Sequence, residues 1–156
     1  MSKDRDLRNL NASARPWYHQ GLRFMCTGCG ACCTGSGRVW LTEAEIYTLA
    51  ESLELDVNIF VDRHVERREG RWSLRENQST GECGFLSDGR CQVYLARPRQ
   101  CRTFPWWPTT LSQPEAWQEA RRVCEGIDHS EAPLVQLEDI REALTEEQQG
   151  RSSWRR

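Results

Sequence analysis

The sequence predicts an α+β fold: a small, irregular, cysteine-rich domain with short helices and β-hairpins. Eight of its 156 residues are cysteine, and four of these lie between Cys26 and Cys33. Short stretches of helical periodicity alternate with turn signals along the rest of the chain. The hydrophobic content is only 38%, so the apolar core should be modest and a second stabilising element is expected.

Two helices are predicted in the first half of the chain. Thr42 and Glu45 have the spacing of a capping box, which predicts a helix over residues 42–54. A second, shorter helix is expected to begin at Asp56. The residues on the predicted packing faces are Ile46, Leu49, Ala50 and Leu53 in the first helix, and Val57, Phe60, Val61 and His64 in the second.

Two hairpin signals follow. Residues 71–75 alternate polar and apolar side chains, which predicts an exposed strand of a hairpin. Asp88-Gly89 is typical of a tight turn between two strands, and it would bring Cys83 close to Cys91. Residues 97–108 contain three prolines and are expected to be irregular.

Two more helices are predicted near the carboxyl end. Ser112 and Glu115 suggest a capping box, and Pro114 suits the first turn of a helix that Gly126 would stop. The last helix is amphipathic and uses Leu137, Ile140 and Leu144. We therefore expect three parts: a flexible N-terminal arm (1–16), a cysteine cluster domain (17–130), and a C-terminal helix with a polar tail (131–156).

Charge and composition argue against several classes of partner. The formal net charge is −2, which gives no general attraction to nucleic acid or to an anionic membrane. Residues 1–15 have no apolar run, so neither a signal peptide nor a membrane anchor is expected. We therefore expect a cytoplasmic protein whose partner would be another, unknown protein. In a reducing compartment, clustered cysteines are more often metal ligands than disulfides.

The spacing of the cysteines indicates a metal site. It reads C-x2-C-x2-C-C, then C-x7-C-x9-C-x22-C, and thiolate sulfur is a soft ligand suited to zinc and to iron-sulfur centres. Adjacent side chains in an extended chain point to opposite faces, so Cys32 and Cys33 are expected to serve two centres or one polynuclear cluster. The candidate metal ligands are Cys26, Cys29, Cys32, Cys33, Cys83, Cys91, Cys101 and Cys124.

Eight cysteines divide evenly into two sites with four thiolates each. Ionising all eight would lower the formal charge from −2 to −10, so cationic neighbours are expected. Arg97, Arg99 and Arg102 flank Cys101 and are the candidates, although ordinary solvated surface is an equally simple interpretation of Arg99. Trp106-Trp107 is expected to cover the core or the metal site, and His64 is expected to be a helix-face residue rather than a ligand.

These residues also match a known family. The sequence resembles the CxxCxxCC family of zinc- or iron-chelating domains, also known as YkgJ-type cysteine cluster proteins. The resemblance runs from about residue 17 to residue 126 and implies metal chelation by all eight cysteines. It depends on the four clustered cysteines, Gly81–Leu86, Gly89–Tyr94, Arg97–Pro105 and Cys124.

Several functions remain open at this stage. The leading one is a non-enzymatic metal-binding module holding zinc or iron in two thiolate centres, because no phosphate-binding loop, dinucleotide fingerprint or localised catalytic pairing is present. The first alternative is an iron-sulfur redox protein or a subunit of a redox enzyme. Structural zinc, metal storage or delivery, and structural disulfides are further alternatives.

Overall fold

The structure, a computed structural model, describes residues 15–34 and 37–153. Within these ranges it contains five α-helices and three small antiparallel sheets, which confirms the predicted α+β class. The helices are α1 (Glu43–Ser52), α2 (Val57–His64), α3 (Arg99–Thr103), α4 (Pro114–Val123) and α5 (Leu137–Ser153). The strands are β1 (Leu22–Arg23), β2 (Trp40–Leu41), β3 (Val65–Arg68), β4 (Arg71–Leu74), β5 (Leu86–Ser87), β6 (Arg90–Cys91) and β7 (Leu134–Val135).

Helices α1 and α2 begin where the sequence predicted. The Thr42 hydroxyl accepts a hydrogen bond from the Glu45 amide, and the Glu45 carboxylate accepts one from the Thr42 amide, which completes the capping box. The Asp56 carboxylate caps α2 by accepting from the Asn58 amide. Both helices bury their apolar faces, with Leu49 and Phe60 fully buried.

Strand β4 is not the exposed strand that the sequence predicted. It lies in the middle of the three-stranded sheet β2-β4-β3 instead of at an exposed edge, and its residues Ser73 and Leu74 are buried. The reason is that β2 pairs with it from the far side, in the register Trp40 to Ser73. A two-residue strand such as β2 has too short a pattern to be recognised in the sequence.

Two further predictions about the second half of the chain are wrong. The segment 97–108 is not wholly irregular, because α3 forms between Pro98 and Phe104. Pro98 is the N-cap of this helix, a place where its missing N–H costs no helical hydrogen bond. The capping box at Ser112 also does not form: Gln113 is the N-cap of α4, and the Ser112 hydroxyl donates to the Thr109 carbonyl instead.

Two apolar cores stabilise the fold. The first core packs α1 and α2 against the three-stranded sheet and the β5-β6 hairpin, with Cys83 and Cys91 partly buried at its border. The second core packs α4 and α5 around six aromatic rings, with Cys124 at its border. These six rings are Trp17, Tyr18, Phe24, Phe104, Trp106 and Trp117. The two cores therefore carry different cysteines toward the same region of the molecule.

The structure describes only part of each end of the chain. The predicted N-terminal arm, apart from Arg15 and Pro16, lies outside the described residues, as do the last three residues of the polar tail. The final helix forms as predicted, with Ile140 fully buried in the second core. No helix in the described ranges is both long enough and apolar enough to span a membrane.

Candidate metal centre

Five parts of the fold carry the eight cysteines, each of which is a free thiol. The loop after β1 carries the first two, and a short 3-10 turn, Ala31–Cys33, carries the next two. The β5-β6 hairpin carries a third pair, α3 carries one, and the C-cap of α4 carries the last. In this order the cysteines are Cys26 and Cys29, Cys32 and Cys33, Cys83 and Cys91, Cys101, and Cys124.

The cysteine loop is fixed against the β5-β6 hairpin. The Cys83 amide donates a hydrogen bond to the Cys33 carbonyl at 2.8 Å. Gly30 has a φ of +75°, and a β-carbon there would overlap the Gly89 carbonyl at the hairpin turn. Only glycine permits both this backbone conformation and this close approach. The C-x2-C-x2-C-C motif thus contacts the hairpin at two points, Cys33 against Cys83 and Gly30 against Gly89.

Cys33 lies at the centre of a group of four thiols, which we name the first thiol group: Cys32, Cys33, Cys83 and Cys91. The Cys33 thiol is hydrogen-bonded to the other three, and these bonds raise its pKa far above the usual range. The same bonds lower the pKa of Cys32 to about 6, of Cys83 to about 7 and of Cys91 to about 6, against the opposing effect of burial. Cys32, Cys83 and Cys91 are therefore the thiols of this group that ionise most readily.

Arg97 supplies positive charge to the first thiol group. Its guanidinium also helps to lower the pKa values of Cys32 and Cys91. It lies 3.8 Å from the centroid of the Tyr94 ring, and its Nε donates to the Tyr94 carbonyl at 3.0 Å. The other two predicted cationic neighbours, Arg99 and Arg102, form ion pairs with glutamates of α5.

The remaining four cysteines surround the first thiol group. Burial, followed by the charge of Cys83, raises the pKa of Cys101 to about 12. Burial also raises the pKa of Cys124, with a smaller contribution from the nearby Cys29. Cys26 is hydrogen-bonded to the Tyr94 phenol and raises its pKa. Every cysteine thus interacts with another cysteine or with a residue that contacts one.

Six of the eight cysteines line one cavity of about 450 Å³. They are Cys26, Cys32, Cys33, Cys83, Cys91 and Cys101. Apolar side chains, among them Phe85 and Val93, form much of the remaining wall, and Arg97 lies at its edge. Cys29 and Cys124 do not line this cavity. The eight predicted ligands are therefore divided between the cavity wall and its surroundings.

The tryptophan pair is divided between the second core and this cavity. Trp106 is buried and stacks on Trp117 at 5.5 Å. Trp107 lines the cavity, and its indole N–H donates to the Gln100 carbonyl at 3.1 Å. Trp106 thus covers the core and Trp107 covers the thiols, which are the two roles predicted for the pair.

The donor set fits a soft metal ion in its chemistry, but its side chains are not yet arranged around one. Within the described ranges, no three His, Cys, Asp or Glu side chains are placed so that they would hold a metal ion. Thiols that are hydrogen-bonded to one another point their sulfurs at their neighbours, whereas metal ligands point at a common centre. Binding therefore requires the thiols to lose their protons and to rotate toward that centre.

The structure also corrects one premise about the adjacent cysteines. Cys32 and Cys33 lie in a 3-10 turn and not in extended chain, so their side chains are not on opposite faces. Both belong to the first thiol group. His64, in contrast, agrees with its prediction as a helix-face residue, because its ring packs between Phe60 and Phe85 at 5.2 and 4.9 Å.

Sequence reasoning missed some of the residues around the thiols. Tyr94 was identified only as part of a family motif. Its ring nevertheless lies against the Arg97 guanidinium, and its phenol contacts Cys26. Phe104 and Leu74 line the cavity and gave no signal beyond ordinary hydrophobicity. One local pattern would have indicated the cationic neighbour. It is an arginine three residues after a tyrosine, close in the chain to a cysteine.

The comparisons with known proteins give one family match. No solved structure matches the chain. Residues 25–125 match the CxxCxxCC family, which is described as a "putative zinc- or iron-chelating domain". The matched range starts one residue before the first cysteine, ends one residue after the last, and covers more than half of the 156 residues. The chain therefore belongs to the CxxCxxCC family of zinc- or iron-chelating domains.

Proposed function

We propose that the protein is a non-enzymatic metal-binding module that holds zinc or iron in two thiolate centres. The observation that carries this proposal is the first thiol group, in which Cys33 contacts three other thiols on the wall of one cavity. Thiolates are suitable ligands for both metals, and a bound ion would displace the thiol protons. Bound metal would supply folding free energy to a chain with two small cores.

The first centre is proposed to use the first thiol group. The lowered pKa values of Cys32, Cys83 and Cys91 favour metal binding, because fewer protons must be displaced near neutral pH. Arg97 would offset part of the negative charge of four thiolates. The hairpin and the 3-10 turn already hold these four residues together through the hydrogen bond from Cys83 to Cys33.

The second centre is proposed to use the other four cysteines. Cys29 lies close enough to Cys124 to raise its pKa, and Cys26 belongs to the same loop as Cys29. Cys101 completes the count from the cavity wall. This centre would join the cysteine loop to the second core, whereas the first centre would join the same loop to the first core.

Serine substitutions test the two-centre proposal. Cys33→Ser is expected to remove the metal of the first centre and Cys124→Ser that of the second, each losing about one of about two equivalents. Metal content per chain, measured on protein purified without oxygen, reports the loss, and each variant is the control for the other. Loss of all metal from both variants, with the fold intact by circular dichroism, would contradict two separate centres.

An iron-sulfur cluster is the second candidate, and the size of the cavity favours it. A single zinc ion with sulfur ligands at about 2.3 Å fills little space, whereas six cysteines here line about 450 Å³. A cluster would supply electron transfer, either alone or within a redox enzyme. Acid-labile sulfide in amounts matching iron would favour this candidate, and zinc without sulfide would exclude it.

A further inference from the structure

Helix α3 carries Cys101 and is held from several sides. The Arg99 amide donates to the Glu45 carboxylate of α1 at 2.7 Å. The Gln100 side chain donates to the Arg38 carbonyl and accepts from the Trp40 amide, which ties α3 to β2. Arg102 and Thr103 contact α5, which ties α3 to a third element, while Gln100 and Cys101 line the cavity.

The contact with α5 is centred on a buried carboxylate. Glu147 is fully buried, and its Oε2 accepts a hydrogen bond from the Thr103 hydroxyl at 3.1 Å. The same oxygen lies 4.0 Å from Nε of Arg99, whose side chain is 12% exposed. A buried charge is retained only where paired groups compensate its lost hydration, so α3 and α5 have one fixed arrangement at this point.

Gly150 allows the Arg99 side chain to approach α5 closely. It lies one turn of α5 beyond Glu147, and a β-carbon there would overlap the Arg99 guanidinium. The guanidinium therefore lies directly against the α5 backbone, where no side chain fits. Arg99 is thus held between the Glu147 carboxylate and the helix surface at Gly150, and its own backbone is two residues from Cys101.

Glu147 and Gly150 lie outside the part of the chain that the family match covers. The family match ends at residue 125, whereas α5 begins at Leu137. We propose that α5 is a working part of the metal site, in which Glu147 acts as a positioning residue that holds Cys101 at the cavity wall through Thr103 and Arg99. This inference rests on the proposed function for its metal-binding role, but the placement of Cys101 is independent of metal.

The test compares two neighbouring glutamates of α5. Glu147→Gln keeps the size of the side chain and removes its charge, whereas Glu146→Gln changes an exposed residue that pairs with Arg102 at 3.2 Å. Alkylation of Cys101 in the full-length, metal-free chain, quantified by peptide mass spectrometry, is expected to be about tenfold faster in Glu147→Gln, because uncompensated burial of Arg99 loosens α3. Glu146→Gln should stay within about twofold of the unaltered protein.

A double substitution separates positioning from general stability. Glu147→Gln is expected to speed transfer of zinc to a chromophoric chelator about tenfold, and to have no further effect when Cys101 is already serine. Equal acceleration with and without Cys101, or alkylation that rises equally at all eight cysteines, would overturn the proposal. Thr103→Val, which removes only one hydroxyl, supports the same comparison if Glu147→Gln does not fold.

The alkylation result also separates this inference from the proposed function. If the chain binds no metal but Cys101 is still alkylated faster in Glu147→Gln than in Glu146→Gln, the positioning role stands and the metal function fails. If metal binds and Cys101 reacts equally in both variants, the positioning role fails and the metal function stands.

Discussion

Replacing Phe60 with alanine is expected to lower the free energy of unfolding by about 3–5 kcal/mol. Phe60 is fully buried in the first core, where its ring stacks on Phe85 at 6.2 Å with an interplanar angle of 7°. Its other neighbour is the His64 ring at 5.2 Å. Alanine would leave a cavity and remove both ring contacts, and Phe85, which also lines the thiol cavity, would lose its support.

Urea unfolding followed by circular dichroism measures this effect. The matched control is Ile59→Ala, because Ile59 precedes Phe60 on the same helix and is 44% exposed. The control is expected to cost less than about 1 kcal/mol. Equal losses from the two substitutions would show that the first core is not packed around Phe60.

Replacing Trp117 with alanine is expected to have an effect of similar size, about 3–5 kcal/mol. Trp117 is 1% exposed and stacks on Trp106 at 5.5 Å, and its indole N–H donates to the Asp128 carboxylate at 3.1 Å. Trp17 adds an edge contact at 6.4 Å. Alanine would therefore empty the middle of the second core and leave a carboxylate without its donor.

Gln118→Ala is the control for Trp117→Ala, since Gln118 is the next residue of α4 and is exposed. Its free energy of unfolding should stay within about 0.5 kcal/mol of that of the unaltered protein. Thermal unfolding of each variant, in its metal-free and metal-loaded forms, gives its free energy of unfolding. A Trp117→Ala protein as stable as Gln118→Ala would contradict the packing of the second core.

The two cores explain how a small chain holds eight thiols near one another. The first core borders Cys83 and Cys91, and the second core borders Cys124. The loop with the four clustered cysteines contacts both, through the hydrogen bond from Cys83 to Cys33 and another from the Met25 amide to the Gly126 carbonyl at 3.1 Å. Metal binding would therefore link two units that are each too small to be very stable alone.

Some of this arrangement was predictable from local sequence. The capping box at Thr42 and the turn at Asp88-Gly89 depend on residues close in the chain, and both form as predicted. The metal family was recognisable because cysteine spacing is itself local. The α+β class followed from the alternation of such signals.

Other features depend on distant contacts and were not predictable. Helix α3 forms in a proline-rich segment because Glu45 and Glu147 hold it from two other helices. The predicted cap at Ser112 fails for a local reason, because its hydroxyl donates to the Thr109 carbonyl. Cys33 is the centre of the first thiol group because the hairpin packs against its turn. The spacing of the cysteines in the sequence does not predict that contact.

The most direct test of the metal-binding account is the metal content of the protein itself. We would purify the full chain without oxygen from cells supplied with both iron and zinc, then measure zinc, iron and acid-labile sulfide per chain. About two metal ions per chain, or iron with matching sulfide, is the predicted result. A metal-free protein whose eight thiols are oxidised despite anaerobic handling would contradict it.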